Sequence, residues 1–369
     1  MAKEKNTGTR IVARRPTIND IAKRVGLSKA SVSRALNGKQ DVDPETRERV
    51  LELAAQMGYV PSASARALSN GRSNSLGLLV PTLTWPWILE VLRGVAEEIE
   101  SSGYSLILYT TTAGEDSERA FMSQVVPAGA VEGLALVIPL GMLDYIERLA
   151  KDGLPVVVVD DRGHYPDLPT VATTNVEGGR SATHHLIEQG RRTIAMLNGP
   201  HDFGCNRERL EGYQLALRDA DLPFEQRHVT DSDFKEDGGA SAMAVLLSAD
   251  PKLDAVFAAN DLMAFGAMRA LRKAGRRVPD DVAVVGFDDL PASAMTHPPL
   301  TTVRQPLYEM GRTAASMVMA AVRGESIAKR VELSGCRNAA KGALLLFLAQ
   351  PALCDFATEA LINRRHPPL

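Results

Sequence analysis

Residues 17–37 read TINDIAKRVGLSKASVSRALN, and the rest of the chain is organised around them. The stretch predicts two short helices joined by a tight turn. Thr17 can cap the first, with Asp20 three positions on as its capping-box partner. Ile18, Ile21, Ala22 and Val25 recur at helical spacing and form an apolar stripe. Gly26 ends the helix, because glycine turns left-handed at low cost. Leu27 plugs the turn, Ser28 caps the second helix, and Val32 and Leu36 face inward. Lys29, Ala30, Ser33, Arg34 and Asn37 are left facing outward.

A short helix after a glycine turn, with small and basic side chains at its start, suits the major groove of B-DNA. Lys29 can reach guanine acceptors or a phosphate. Ser31, Ser33 and Asn37 can donate to phosphates, and Arg34 can do either. Ala30 is small enough to approach a thymine methyl. On turn chemistry alone, an ordinary helical pair with a solvated charged face fits equally well.

The distribution of charge favours DNA. Through Arg72 there are fourteen Lys and Arg against seven Asp and Glu, a net +7. The whole chain of 369 residues carries 42 against 45, so the remainder holds 28 against 38. A basic head on an acidic body is expected of a polyanion-binding module joined to a different one. Three widely spaced cysteines, Cys205, Cys336 and Cys354, point to a reducing cytoplasm with neither disulfide framework nor zinc site. The polar, basic N-terminus has no apolar signal core, and no apolar run is long enough to span a bilayer.

Residues 1–15 lack periodicity and read as a flexible basic arm. After the loop Gly38 to Val42, Asp43 caps a third helix with Pro44 at its first position. Val50, Leu51, Ala54 and Met57 supply its apolar face, and Gly58 closes it. Tyr59-Val60-Pro61 leads into SASARALSNGRSNS. Ser62 to Leu68 could form one short helix, but with almost no apolar face it is marginal alone. It is either a linker or a segment that folds only on DNA, with Leu68 a wedge into the minor groove.

TINDIAKRVGLSKASVSRALNG, then TRERVLELAAQMGYVPSASARAL, then SLGLLVP together resemble the lactose/galactose-repressor (LacI/GalR) family of bacterial transcription factors. The likeness runs from about Pro16 to about Leu333. It implies that Lys29 and Ala30 are the chief operator-reading positions, supported by Ser28, Ser31, Ser33, Arg34 and Asn37. It extends the DNA-contacting set to Thr17, Tyr59 and Ser64, makes Ser62 to Ser69 the hinge helix, and matches Leu68 to the intercalating leucine. Ser62 departs from the family, which often has asparagine there.

From Leu76 onward, short β-branched runs alternate with amphipathic helices. SLGLLVP, YSLILYT, LALVIP and PVVVVD are strands, with helices near 89–100, 115–126 and 142–151 between them. A second series starts at TVAT and runs through TIAMLNG, DAVFAAN and VAVVGFDD, with helices at 177–189, 207–220, 238–247 and 262–274. Buried strands with helical crossovers predict parallel sheets. Two series predict two doubly wound lobes with a crevice at the strand C-termini. This resembles the type I periplasmic-binding-protein fold, with TTVRQP as the return crossing between lobes. The expected organisation is therefore an all-α helix-turn-helix head at 16–60, a hinge and linker at 61–74, and a two-lobed effector and dimerisation domain at 75–334. Residues 335–369 form an atypical tail.

Strand-end residues facing the crevice are the candidate ligand contacts. Trp85 and Trp87 are the only tryptophans, and an indole face stacks on the apolar face of a sugar ring or on a base. Arg209 can fork two hydrogen bonds to hydroxyls or a carboxylate, or else form a salt bridge at a helix start. By resemblance Arg209, Asn260, Asp288 and Gln305 match effector-contacting positions, while Asp261 caps the following helix. Phe203 occupies a pocket position where purine-responsive members carry arginine, which leans towards a carbohydrate. GxSxG, P-loop, HExxH and GxGxxG signatures are missing. His184 and His185 have no acidic partner at metal spacing and read as surface residues, and Gly178-Gly179 alone is a weak signal.

The tail, GCRNAAKGALLLFLAQPALCDFATEALINRRHPPL, matches nothing in the family pattern. An altered reading frame near Gly335 is the preferred explanation, leaving residues 336–369 non-native and poorly packed. The sequence thus reads as a cytoplasmic regulator, a homodimer with a tetramer as the alternative, without cofactor or metal. It would bind a pseudo-palindromic operator and answer to a small effector, most simply a sugar. A purine-responsive regulator and an exported sugar-binding protein are the alternatives.

Overall fold

A computed structural model describes residues 16–39, 41–59, 73–110, 129–139, 143–160 and 167–338. Internal contacts divide the chain into two compact units, Met1–Ser73 and Asn74–Leu369.

The first unit holds three helices, α1 (Ile18–Val25), α2 (Lys29–Leu36) and α3 (Pro44–Gln56). The Asp20 carboxylate accepts the Thr17 amide at 2.8 Å and the Thr17 hydroxyl at 2.7 Å, which pins the start of α1. Gly26 ends it at φ +75°, its amide donating to the Ala22 carbonyl. Ser28 and Asp43 cap α2 and α3 by accepting the amides of Ser31 and Thr46. Ile21, Ala22, Val32, Ala35, Val50 and Ala54 form the buried core. Leu36 packs half-buried against this core beside the fully buried Ala35, as an inward face requires. One assignment differs from the sequence expectation: Leu51 is exposed, with Leu53 packed against the core instead. One position on a helix turns a side chain by about 100°, so Leu51 cannot share the face that Val50 and Ala54 define. The expected hinge helix, with Ser64 and Leu68, lies outside the described residues.

The second unit is built on two six-stranded sheets. In the first, β1 (Ser75–Val80), β2 (Ser105–Thr110), β3 (Gly133–Val137), β4 (Val156–Val159), β5 (Thr170–Thr173) and β11 (Arg330–Leu333) are all parallel, in the order β11-β5-β4-β3-β1-β2. In the second, β6 (Ile194–Asn198), β7 (Val229–Asp231), β8 (Ala255–Ala258), β9 (Ala283–Asp288) and β10 (Thr301–Arg304) are parallel. A short antiparallel β12 (Cys336–Asn338) closes the edge on β10. The order is β12-β10-β9-β8-β6-β7. The helices are α4 (Ile88–Glu100), α5 (Leu143–Lys151), α6 (Asn175–Glu188), α7 (Gly204–Asp219), α8 (Glu236–Ala249), α9 (Asp261–Lys273) and α10 (Leu307–Val322). The helix expected near 115–126 lies outside the described residues.

The strand TVAT, expected to open the second lobe, is β5 of the first sheet, in register with β4 at Val158↔Thr170. Hydrophobic period marks a buried strand but does not say which sheet it joins. Likewise Thr301–Arg304 is a strand of the second sheet, and the return crossing narrows to Gln305-Pro306. Beyond it, Met310, Ala314 and Val318 of α10 enter the first lobe's core. Among the described residues the chain passes between lobes at three places: after β5, after β10 and after β11. These crossings lie side by side. The Thr174 amide donates to the Leu333 carbonyl at 3.2 Å, and the Gly335 amide to the Thr174 hydroxyl at 3.4 Å. A Cβ on Gly335 would come within 2.9 Å of the Arg304 carbonyl.

Three helix pairs cross at reciprocal glycines. A Cβ at Gly94 or Gly311 would overlap backbone of the partner helix in the α4–α10 pair, and Gly179 with Gly212 repeats this in α6–α7. Gly239 with Gly266 does so in α8–α9. The Gly178-Gly179 pair thus serves packing: Gly178 lies against the Phe287 ring and Gly179 against the Arg209 backbone. The tail expectation is also revised. Residues 336–338 pair with β10, at Arg304↔Cys336 and Thr302↔Asn338, while residues 339–369 lie outside the described ones.

Candidate functional site

In the head, Lys29, Ala30 and Arg34 are exposed on α2. Arg34 pairs with Asp41 at 3.2 Å, both side chains more than half exposed. The Ser28 and Ser31 hydroxyls meet at 2.9 Å. Ser33 and Asn37, expected to face outward, are half-buried. The Asn37 amide folds back to the Ser33 carbonyl at 2.8 Å, closing the end of α2. Thr17 is occupied by Asp20, and the Tyr59 ring packs against the three-helix core.

In the body, all seven residues nominated from the sequence line one cleft: Trp85, Trp87, Phe203, Arg209, Asn260, Asp288 and Gln305. The first lobe contributes the β1–α4 connection with Trp85, Pro86 and Trp87, then Ile138 after β3 and Asp160 after β4. The second lobe contributes the start of α7, Phe234 after β7, and the ends of β8, β9 and β10. Every contribution comes from the C-terminal side of a parallel strand, where such folds bind ligands.

Four aromatic rings shape the cleft. Trp85 and Trp87 lie with ring centres 6.1 Å apart and planes 25° apart, and Phe203 meets Phe234 edge-on at 5.3 Å. Backbone strain is concentrated here as well. Of the seven non-glycine residues with positive φ among the described residues, Ile138 (+41°), Asp160 (+55°), Phe234 (+63°) and Asp288 (+117°) line the cleft. Strained conformations cost free energy and persist where the surroundings over-determine them, commonly at ligand sites.

The polar floor is tightly organised. Arg209 is buried. It donates from Nε to Asn175 Oδ1 at 2.9 Å and from Nη1 to the Ala259 carbonyl at 2.6 Å, and its guanidinium lies 3.8 Å from the Phe287 ring centre. Gln305 Nε2 donates to Asp288 Oδ1 at 2.7 Å, leaving Gln305 Oε1 buried without a hydrogen-bond partner. Burial pushes the Asp288 carboxyl up to about 8; Arg209 opposes the shift, and Asp261 and Asp160 add to it. Burial likewise raises the Cys205 thiol to about 12, so it stays protonated.

The capping role expected of Asp261 falls to Asn260, which also lines the cleft. Asn260 is the α9 cap, its Oδ1 accepting the Met263 amide, while its Nδ2 donates to the Phe234 carbonyl at 3.0 Å. Asp261 accepts instead from the Leu290 amide and the Ser293 and Thr302 hydroxyls, binding the segment after β9 to β10. Sequence reasoning passed over Asp160, although an aspartate ending PVVVVD is the signal that singled out Asp288. It also missed Phe234, which follows a strand of only three residues, and Asn175, whose role depends on Arg209. His184 and His185 lie half-buried on α6, His185 beside Gln189.

A capped reading helix in a basic head, followed by a two-lobed body with a polar, aromatic-walled cleft, defines a ligand-controlled DNA-binding regulator. Residues 17–62 match the family described as bacterial regulatory proteins, lacI family, and residues 73–341 match periplasmic binding proteins and sugar binding domain of LacI family. The chain belongs to the LacI family of bacterial transcriptional regulators. It is 36% identical over 326 residues to the HTH-type transcriptional regulator CelR of Thermobifida fusca, covering 85% of this chain and 94% of that protein. It is 35% identical over 303 residues to the ribose operon repressor of Halalkalibacterium halodurans, covering 82% and 89%. Among solved structures, the Lac repressor dimer bound to operator and anti-inducer superposes with a TM-score of 0.80 at 26% identity, covering 90% of this chain and all of that one. The CelR–cellobiose complex superposes with 0.68 at 33%, covering 89% and all of it.

Proposed function

We propose that this regulator represses carbohydrate-utilisation genes and releases or tightens its hold on the operator when a saccharide occupies the interlobe cleft. The observation that carries this reading is the cleft itself. Aromatic faces from both lobes surround a floor of Arg209, Asp288, Asn260 and Gln305, a combination suited to a ring with apolar faces and polar hydroxyl edges. The relatives named for cellobiose and ribose support the same class.

In this reading Lys29 and Ala30 touch base edges, and Ser28, Ser31, Ser33, Arg34 and Asn37 hold the phosphates. Thr17, Tyr59, Ser64 and Leu68 complete the interface. Two chains form a homodimer on a pseudo-palindromic site, in the cytoplasm, as a binding protein rather than an enzyme. Saccharide and operator are coupled through the lobes, so each changes the other's affinity by the same factor.

Trp85 and Trp87 make the test direct, since both line the cleft and no other tryptophan exists. Intrinsic fluorescence titrated with sugars and purines should change saturably with one saccharide, and Trp87→Phe should abolish or blunt the change. A response to hypoxanthine or guanine, with sugars silent, would replace the saccharide with a purine.

A further inference from the structure

Phe234 lines the cleft from an unfavourable backbone. It follows β7, a strand of three residues, and its φ of +63° is left-handed for a residue with a side chain. Such a conformation lasts only where neighbours over-determine it. Asn260 Nδ2 donates to the Phe234 carbonyl at 3.0 Å, and the Phe203 ring meets the Phe234 ring edge-on at 5.3 Å. The third neighbour is Gly199, directly after β6. A Cβ there would come within 2.5 and 2.6 Å of two carbons of the Phe234 ring and would overlap Asn206 Nδ2. Gly199 is not left-handed itself, so only the space beside it requires glycine. Asn206 is fully buried and donates to the Pro200 carbonyl at 2.8 Å, which fixes it. The Phe234 ring, half-buried and bordering the cleft, is the neighbour that yields.

We propose that Gly199 is a positioning residue for the effector: its missing side chain is the slot that lets Phe234 stand as a wall of the cleft. This rests on the interlobe cleft being the effector site, and it adds a residue that does not itself line that cleft. The paired glycines of the helix crossings make room for backbone, and their substitution acts on helix packing. Gly199 makes room for a ring that faces the ligand. A side chain at 199 and the Phe234 ring compete for one volume in a close-packed region, so the ring turns out of place. The ligand then loses an aromatic face, while the polar floor of Arg209, Asp288 and Gln305 stays as it is.

The test is a double-mutant cycle in the full chain: native, Gly199→Ala, Phe234→Ala and the two together. Each is titrated calorimetrically with glucose, ribose, cellobiose, hypoxanthine and guanine. The compound that binds the native protein should bind Gly199→Ala about fivefold more weakly. Adding Gly199→Ala to Phe234→Ala should change nothing further, because the ring it displaces is gone. Equal affinity of the native protein and Gly199→Ala, or the same loss in both backgrounds, overturns the assignment. A purine bound in place of every sugar overturns the saccharide reading alone, since the same cycle then judges Gly199 with that purine. Two readouts need no ligand. Gly199→Ala should melt below the native protein, and the Phe234→Ala background should cancel that difference. The crystal structure of Gly199→Ala should show the Phe234 ring moved from its place against Phe203; a ring that has not moved overturns the proposal.

Discussion

Asn175 Oδ1 accepts the Arg209 Nε hydrogen at 2.9 Å, and Asn175 is the first residue of α6, where the chain has just left the first sheet. Its Nδ2 donates to Glu208 Oε2 at 2.9 Å. Glu208 lies 3.7 Å from Arg330 of β11, a strand that leads into another crossing. A crossing segment therefore orients the buried arginine of the cleft. Asn175→Ala should weaken saccharide binding by about tenfold, the loss of one buried hydrogen bond to a charged group. Calorimetric titration measures it. An unchanged affinity would mean that Arg209 is positioned by Ala259 and Phe287 alone.

The Asp288 carboxyl links stability to pH. Its folded value, about 8, lies above the ordinary value of about 3.9 for an unfolded chain. The folded state therefore holds a proton that the unfolded state releases. The stabilisation is complete below about pH 4, declines as pH rises towards 8, and is gone above it. The melting temperature of the native protein minus that of Asp288→Asn should fall between pH 5 and 8 and then level. A flat difference across that range would show Asp288 ionised throughout.

Gly212 has no room for a side chain. A Cβ there would overlap the Val176 carbonyl and approach the Arg180 amide across the α6–α7 crossing. Gly212→Ala should cost about 1–3 kcal/mol as overpacking, lowering the melting temperature by several degrees. Gly275→Ala is a control of a different kind, because its constraint is a left-handed φ of +73° with open space around it. If Gly212→Ala melts with the native protein, the two helices can separate without penalty.

Lys29 is exposed at the first turn of α2. Lys29→Ala should reduce affinity for a selected operator duplex by about tenfold and relax specificity at one base position. Loss of affinity without relaxed specificity, and a salt dependence shallower by about one unit of slope, would make Lys29 a phosphate contact instead. Fluorescence anisotropy at several salt concentrations reads both.

The C-terminal boundary can be located by truncation. Ending the chain after Asn338 keeps β12 on β10 and should leave the melting temperature unchanged. Ending it after Gly335 removes that pairing and uncovers the edge of β10, and should lower it. Equal melting of the two would mean that β12 contributes nothing to the second sheet.

Much of this protein was legible in one dimension because its signals are local. The capping residues Thr17, Ser28 and Asp43, the left-handed Gly26, and the buried strand runs each declare themselves within a few positions. Strand ends of a parallel sheet converge by topology, which brought Trp85, Trp87 and Asp288 into view, while Phe203, Arg209, Asn260 and Gln305 were nominated through the family resemblance. What the tertiary structure alone decided depends on partners distant in the chain. The assignment of β5 to the first sheet required its pairing with β4. The capping of α9 by Asn260 rather than Asp261 depended on Ser293, Thr302 and Phe234 arriving from elsewhere. Asn175 became part of the site only through Arg209, 34 residues away. A side chain's hydrogen bonds are settled by whichever donors and acceptors the fold brings within about 3 Å, and sequence spacing carries no record of that distance.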